Sequence, residues 1–157
     1  MFIRKKKINN NEYAYLVENR YHKKKKQSRQ KTSKYLGKVI NLGNSNKQTQ
    51  ASTINEAIIN ELNRFGFKES KNKLIKNGIE IDLGTFQVIE GSKKICLELN
   101  EGFLCNLTLT NLLNFNSQNL NQKEIIHNFA DAFVSAGINL HYESFINIFN
   151  TQNTIKP

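Results

Sequence analysis

The chain has 157 residues, a formal net charge of +10, and 38% hydrophobic and 10% aromatic residues. That suffices for one ordinary domain or two small ones with a packed core. A single proline, Pro157, excludes Pro-rich or collagen-like structure. No stretch approaches the roughly 20 apolar residues of a membrane helix, and no apolar segment follows the basic start Met1 to Lys7 as it would in a secretory signal.

The positive charge is confined to one end. Residues 1–50 hold 14 Lys and Arg against two acids, Glu12 and Glu18, a net of +12; the other 107 residues have a net charge of −2. Such asymmetry points to a basic module that meets a polyanion, joined to a near-neutral part. Nucleic acid is the commonest such polyanion, because clustered Lys and Arg release counterions from phosphates.

Phe2, Ile3 and Ile8 frame Arg4-Lys5-Lys6-Lys7 in a first strand over residues 1–8. Asn9-Asn10-Asn11 turns the chain, since Asn tolerates positive φ. Tyr13-Ala14-Tyr15-Leu16-Val17 is a second strand by aromatic and β-branched content. Tyr13, Tyr15, Val17 and Tyr21 share one of its faces, and Ala14, Leu16 and Arg20 the other. Lys23-Lys24-Lys25-Lys26 is a charged hairpin tip, and a third strand over 29–40 carries Tyr35, Leu36, Val39 and Ile40. Residues 41–52 read as a polar linker.

Thr53-Ile54-Asn55-Glu56 is a capping box that opens a helix with Ile54, Ala57, Ile58, Leu62 and Phe65 on one stripe and Gly66 as its stop. Ile79, Ile81 and Leu83 alternate as a strand. Glu90-Gly91-Ser92-Lys93 joins two further strands as a hairpin. Phe103 to Phe115 reads as a helix. Asn121 caps another, through Ala136, with Ile125, Ile126, Phe129, Ala132 and Phe133 inward and Gly137 as its stop. Tyr142, Phe145, Ile146 and Phe149 mark a last helix before a frayed tail over residues 151–157.

The fold expected is therefore α+β: an N-terminal three-stranded antiparallel meander over residues 1–40, then a small α+β domain over 53–150. That second domain has a short antiparallel sheet and three to four helices. A single-domain core is affordable there.

The candidate nucleic-acid contacts are Arg4, Lys5, Lys6, Lys7, Arg20, Lys23, Lys24, Lys25, Lys26, Arg29, Lys31, Lys34 and Lys38. The lysines reach phosphates. Arg4, Arg20 and Arg29 add orientation, because a guanidinium grips a phosphate or a guanine edge with a bidentate fork. Tyr13, Tyr15, Tyr21 and Tyr35 can stack on unpaired bases, but core packing accounts for at least two of them.

Tyr13-Ala14-Tyr15-Leu16-Val17-Glu18, Arg29-Gln30 and Tyr35-Leu36-Gly37-Lys38 resemble the N-terminal region of insertion-sequence transposases with a DDE-type catalytic core. Short stand-alone proteins, many of archaeal type, carry a similar segment. The resemblance covers residues 1–40. It implies a small nucleic-acid-contacting module ahead of another domain. The lysine run replaces the Gly-Lys usual at the hairpin tip, and the catalytic core is absent, so transposase activity is not implied.

Other residues of chemical interest have ordinary explanations. Glu80 and Asp82 lie on one side of a strand, as paired carboxylates of an acid–base or Mg²⁺ site would, but the polar face of a half-buried strand explains them. Cys96, Cys105, His127 and His141 lack the paired spacing of a structural zinc site, and Cys96 reads as a small buried residue. Two cysteines are too few for a disulfide scaffold, which makes a reducing, cytoplasmic setting the expectation. No catalytic residue, metal or cofactor is expected.

The reading is thus a non-enzymatic protein that binds double-stranded DNA through its basic sheet. Only the transposase resemblance favours DNA over RNA. Residues 53–150 would make a homodimer or partner contact, and no membrane is involved. The alternative is an RNA-binding or ribosome-associated accessory factor whose C-terminal domain binds a protein partner.

Overall fold

Alternating residues in the first 43 positions form three antiparallel strands. β1 is Phe2–Ile8, β2 Asn11–His22 and β3 Gln27–Gly43. The computed structural model describes residues 1–154. After β3 come α1 (Ile54–Arg64), β4 (Lys68–Ser70), β5 (Lys73–Lys76), β6 (Ile79–Asp82), β7 (Gln87–Glu90), β8 (Lys93–Leu99) and β9 (Gly102–Leu104). Three helices close the chain: α2 (Asn106–Leu113), α3 (Gln122–Ser135) and α4 (Tyr142–Thr154).

The strands make one nine-stranded mixed sheet in the order β1-β2-β3-β8-β7-β6-β5-β4, with β9 paired to β8. This corrects the expected fold class, which kept the meander apart from a short antiparallel sheet. The meander exists, but as one wing of a larger sheet. The joint is parallel: Lys38, Val39, Ile40 and Asn41 of β3 pair with Ile95, Cys96, Leu97 and Glu98 of β8. The apolar end of β3 needs a partner, and β8 offers Ile95, Cys96, Leu97 and Leu99, all buried. The long connection between them permits parallel pairing. Residues 41–43 thus belong to a strand, and Thr49 bridges to Leu140.

Helices α1 to α4 bury their apolar stripes in one cluster with Leu74, Ile81, Val88, Leu97 and Leu99 of the sheet. Phe129 sits at its centre, with Phe115, Phe133, Phe145 and Phe149 between 4.9 and 5.8 Å from it, ring to ring. Thr53 caps α1 by accepting from the Glu56 N–H at 3.1 Å. Asn121 and Glu124 cap α3 reciprocally, each at 3.0 Å. Ile126, expected inward, is exposed. Phe103 to Phe115 is not one helix: it begins in β9, and α2 starts only at Asn106. The start of that stretch pairs with β8 instead of coiling. α4 reaches Thr154, into the stretch expected to fray, and the expectation for residues 155–157 lies outside the described residues.

Sequence periodicity gave no sign of Glu61. Its side chain is fully buried on α1, and among the described residues it makes no salt bridge. It accepts from the Thr49 hydroxyl, from Ser45 Oγ at 3.3 Å, from Asn100 Nδ2 at 2.8 Å and from the Asn139 N–H at 3.3 Å. One side chain so ties the polar stretch after β3 to α1, to the β8–β9 turn and to the segment before α4.

Candidate nucleic-acid interface

The β2–β3 hairpin outruns both of its neighbours. β1 covers β2 only from Asn11 to Val17, and β8 covers β3 only from Lys38 onward. Between these limits Glu18 to His22 pair with Gln27 to Lys31 and with nothing else. The result is a two-stranded ribbon about 17 Å long before its tip, at about 3.4 Å per residue. Every residue from Asn19 to Tyr35 is exposed. Seven Lys and Arg lie between Glu18 and Lys31 against one carboxylate, Glu18.

The sequence explains why this segment projects. Its strands carry Ser28, Gln30 and Thr32 where a buried strand needs apolar groups, so neither face has anything to bury. A bare two-stranded hairpin is marginal in water; here the ladder that continues into the sheet at Val17 and Thr32 supports it. At the tip the Lys25 N–H donates to His22 O at 3.2 Å, and Lys26 takes a left-handed φ of 45°. Glycine favours that conformation, so lysine stands there against the backbone preference.

The root of the ribbon is built by Leu36 and Gly37. The pairing of β3 with β2 slips at Leu36 and again at Ser33, two irregularities that increase local twist. Leu36 is thereby buried beside Ala14, Val39, Cys96 and Cys105. Gly37 has φ 137°, and a Cβ there would lie 2.7 Å from Lys94 O and 2.8 Å from Ile95 Cα. Only glycine lets β8 approach β3 so closely.

Register sorts the candidate residues onto two faces, because directly opposed residues share a face. Arg20 and Arg29 face each other, as do Glu18 and Lys31, and Leu16 and Lys34. Lys5 and Lys7 lie on this same face, opposite Ala14 and Glu12. Arg4, Lys6 and Lys38 lie on the other, opposite Tyr15, Tyr13 and Tyr13 respectively. Lys23 to Lys26 form the tip between the faces.

These cations differ in freedom. Lys5 Nζ is 2.8 Å from Glu98 and 3.3 Å from Glu12. The Glu98 hydrogen bond raises its pKa against the cost of partial burial, and the charge is matched within the sheet. Arg20 contacts Glu18 at 2.7 Å on the same strand, and Arg4 donates to the Gln30 side-chain carbonyl. Lys6 lies 5.1 Å above the Tyr15 ring, a cation–π contact.

The tyrosines form a cluster on the second face. Tyr35 lies 5.3 Å from Tyr15 and 6.4 Å from Tyr13, with the rings tilted. Tyr13 and Tyr15 are half-buried, whereas Tyr35 is 52% and Tyr21 64% exposed. Burial, then the neighbouring Tyr15 and Tyr13, push the Tyr35 hydroxyl pKa up, so it stays a neutral donor.

The other chemistry-bearing residues sit elsewhere. Glu80 pairs with Lys73 at 3.6 Å, and Asp82 Oδ1 accepts from the Gly84 and Thr85 N–H groups at 2.9 and 3.1 Å. His127 is 3.3 Å from Asp131 on α3, and His141 Nδ1 accepts from the Glu143 N–H at 3.3 Å. Among the described residues no three His, Cys, Asp or Glu gather as a metal site. No described helix is long and apolar enough to cross a membrane.

No protein-family model, no curated protein and no solved structure matches the chain. The resemblance to transposase N-terminal regions rests on the quoted residues alone.

Proposed function

We propose that this chain is a non-enzymatic protein that binds double-stranded DNA by seating the β2–β3 ribbon in a groove. The single observation behind this reading is the ribbon itself: it projects past both neighbouring strands, buries nothing, and concentrates seven cations against one acid. A structural hairpin would bury a face or be short. A two-stranded ribbon fits the major groove, which is about 12 Å wide and 8.5 Å deep. Lys23 to Lys26 then meet phosphates, while Arg20 and Arg29, on one face, turn toward base edges.

One observation favours a second reading, RNA with unpaired bases. Tyr13, Tyr15 and Tyr35 form an aromatic surface flanked by Arg4, Lys6 and Lys38. Aromatic side chains on an open sheet beside cations suit base stacking. Tyr35→Ala separates the two, since it weakens single-strand binding and leaves duplex binding unchanged if the ribbon is the site.

The direct test shortens the ribbon. Replacing residues 19–30 with Asn-Gly joins Glu18 to Lys31 through a two-residue turn and leaves the rest of the sheet paired. The shortened protein is expected to keep its circular-dichroism spectrum and lose duplex binding. Undiminished binding by the folded, shortened protein would overturn the reading.

A further inference from the structure

Two thiols that nucleic-acid binding does not use meet beneath the root of the ribbon. Leu97 of β8 pairs with Leu104 of β9 in an antiparallel ladder, so the next rung sets Cys96 opposite Cys105. Cys105 continues the extended course of β9, with φ −145° and ψ 178°. Directly opposed antiparallel residues have Cα atoms about 4.5 or 5.5 Å apart, within the roughly 4.4–6.8 Å that a disulfide spans. Both cysteines are fully buried and reduced, packed with Ala14, Leu36 and Val39. An antiparallel rung sends both side chains to the same face of the sheet, into that shared cluster.

The two sulfurs are not equivalent. Cys105 is the N-cap of α2. Its sulfur lies 3.7 Å from Thr108 Oγ1, and the neighbouring Cys96, with the Thr108 and Leu107 N–H groups of the first turn, pulls the Cys105 pKa down against the cost of burial. The neighbouring Cys105 and burial push the Cys96 pKa up. This is the division of labour of a redox dithiol, in which a helix N-terminus activates one sulfur and a second sulfur resolves.

We propose that Cys96 and Cys105 are a dithiol that closes to a cross-strand disulfide in the folded protein, with a low-molecular-weight disulfide such as oxidised glutathione as oxidant. The Cys105 thiolate attacks one reagent sulfur, breaks the reagent S–S bond and expels one glutathione thiolate. Cys96 then gives up its proton and attacks the Cys105 sulfur of the mixed disulfide. The Cys96–Cys105 bond forms and the second glutathione thiolate leaves. Two protein thiols are oxidised, one reagent disulfide is reduced, and the two protons end on the two glutathione thiols. The proposal requires access by local opening of β9, a three-residue strand whose ladder is with β8 alone. The bond would fasten β9 to β8 where Val39 of β3 pairs with Cys96, at the base of the ribbon.

The test incubates the folded, full-length protein with oxidised glutathione, blocks residual thiols with iodoacetamide and reads the intact mass. The result expected is a monomer lighter by two hydrogens, without alkylated thiols, and restored by reductant. Cys96→Ser is expected to hold one glutathione on Cys105. Retention of both alkylatable thiols, under conditions that oxidise the urea-unfolded chain, would overturn the proposal. So would disulfide-linked dimers in place of the light monomer. The wild-type measurement decides even if the serine variant fails to fold.

Discussion

Arg20 and Arg29 stand directly opposite each other across the β2–β3 ribbon, with Glu18 at 2.7 Å from Arg20 as the nearest counter-charge. Like charges directly opposed weaken a ladder, so Arg29 beside Arg20 costs the fold something, while the Glu18 contact belongs to Arg20. Arg29→Gln is therefore expected to leave stability unchanged or raise it by up to about 0.5 kcal/mol. The same change is expected to weaken duplex DNA binding at least about fivefold, from a loss of about 1 kcal/mol or more. Urea unfolding and anisotropy titration on the same sample check both halves. A loss of stability with unchanged affinity would give Arg29 a structural role.

The tip and the sheet are expected to respond differently to neutralisation. Lys23→Ala, Lys24→Ala and Lys25→Ala combined with Lys26→Gly remove four cations, the last where the left-handed backbone already suits glycine. The slope of log affinity against log salt is expected to flatten by about 0.9 for each phosphate that the tip no longer neutralises. Lys5→Met is expected to leave that slope unchanged, because Glu98 and Glu12 already match its charge.

Gly37→Ala tests the joint between the wings of the sheet. A methyl group there meets the backbone of Lys94 and Ile95, which cannot swing aside as a flexible side chain can. The expected loss is at least about 2 kcal/mol in urea unfolding, from the clash and the positive φ together. A wild-type midpoint would show that β3 and β8 are not so close.

Glu61→Gln tests the buried carboxylate. An amide keeps one acceptor oxygen but turns an NH₂ toward donors among Thr49, Ser45, Asn100 and Asn139. The expected cost is about 2 kcal/mol, the penalty for buried donors left unmatched. Nucleic-acid affinity measured well below the unfolding midpoint is expected to stay at the wild-type level.

Asp82 adds an acid dependence. Burial opposes its ionisation, but hydrogen bonds from Thr85 and Gly84, with the Lys73 charge, hold the carboxyl below its ordinary value of 3.8. A depressed folded pKa contributes stability that is present above the unfolded value and is lost as pH falls through the folded one. Asp82→Asn is expected to flatten the fall in stability below about pH 4, read from urea midpoints across that range.

The local elements were legible where chemistry and periodicity agree. Thr53 and Glu56 announce α1, Asn121 and Glu124 announce α3, and Glu90 to Lys93 announce the β7–β8 hairpin. The alternation that puts Tyr13, Tyr15 and Tyr21 on one face, with Arg20 on the other, is also readable, since a strand's period is two. What stayed hidden depends on partners distant in sequence. Val39 and Ile40 look like the end of a small sheet until Cys96 and Leu97 lie beside them. Lys5 looks like a phosphate ligand until Glu98, 93 residues away, takes its charge. β4 and β5 are too short and polar for alternation to declare them. Glu61 reads as a solvated helix residue, because residues far along the chain supply its donors.

The most direct measurement is a fluorescence-anisotropy titration of the full-length protein with duplex DNA, duplex RNA and single-stranded RNA of equal length, each at three salt concentrations. Groove binding by the ribbon predicts that duplex DNA binds tightest, with affinity falling steeply and linearly in log salt. Tighter binding of RNA would contradict the choice of polymer, and failure to bind any of the three at low salt would contradict nucleic-acid binding itself.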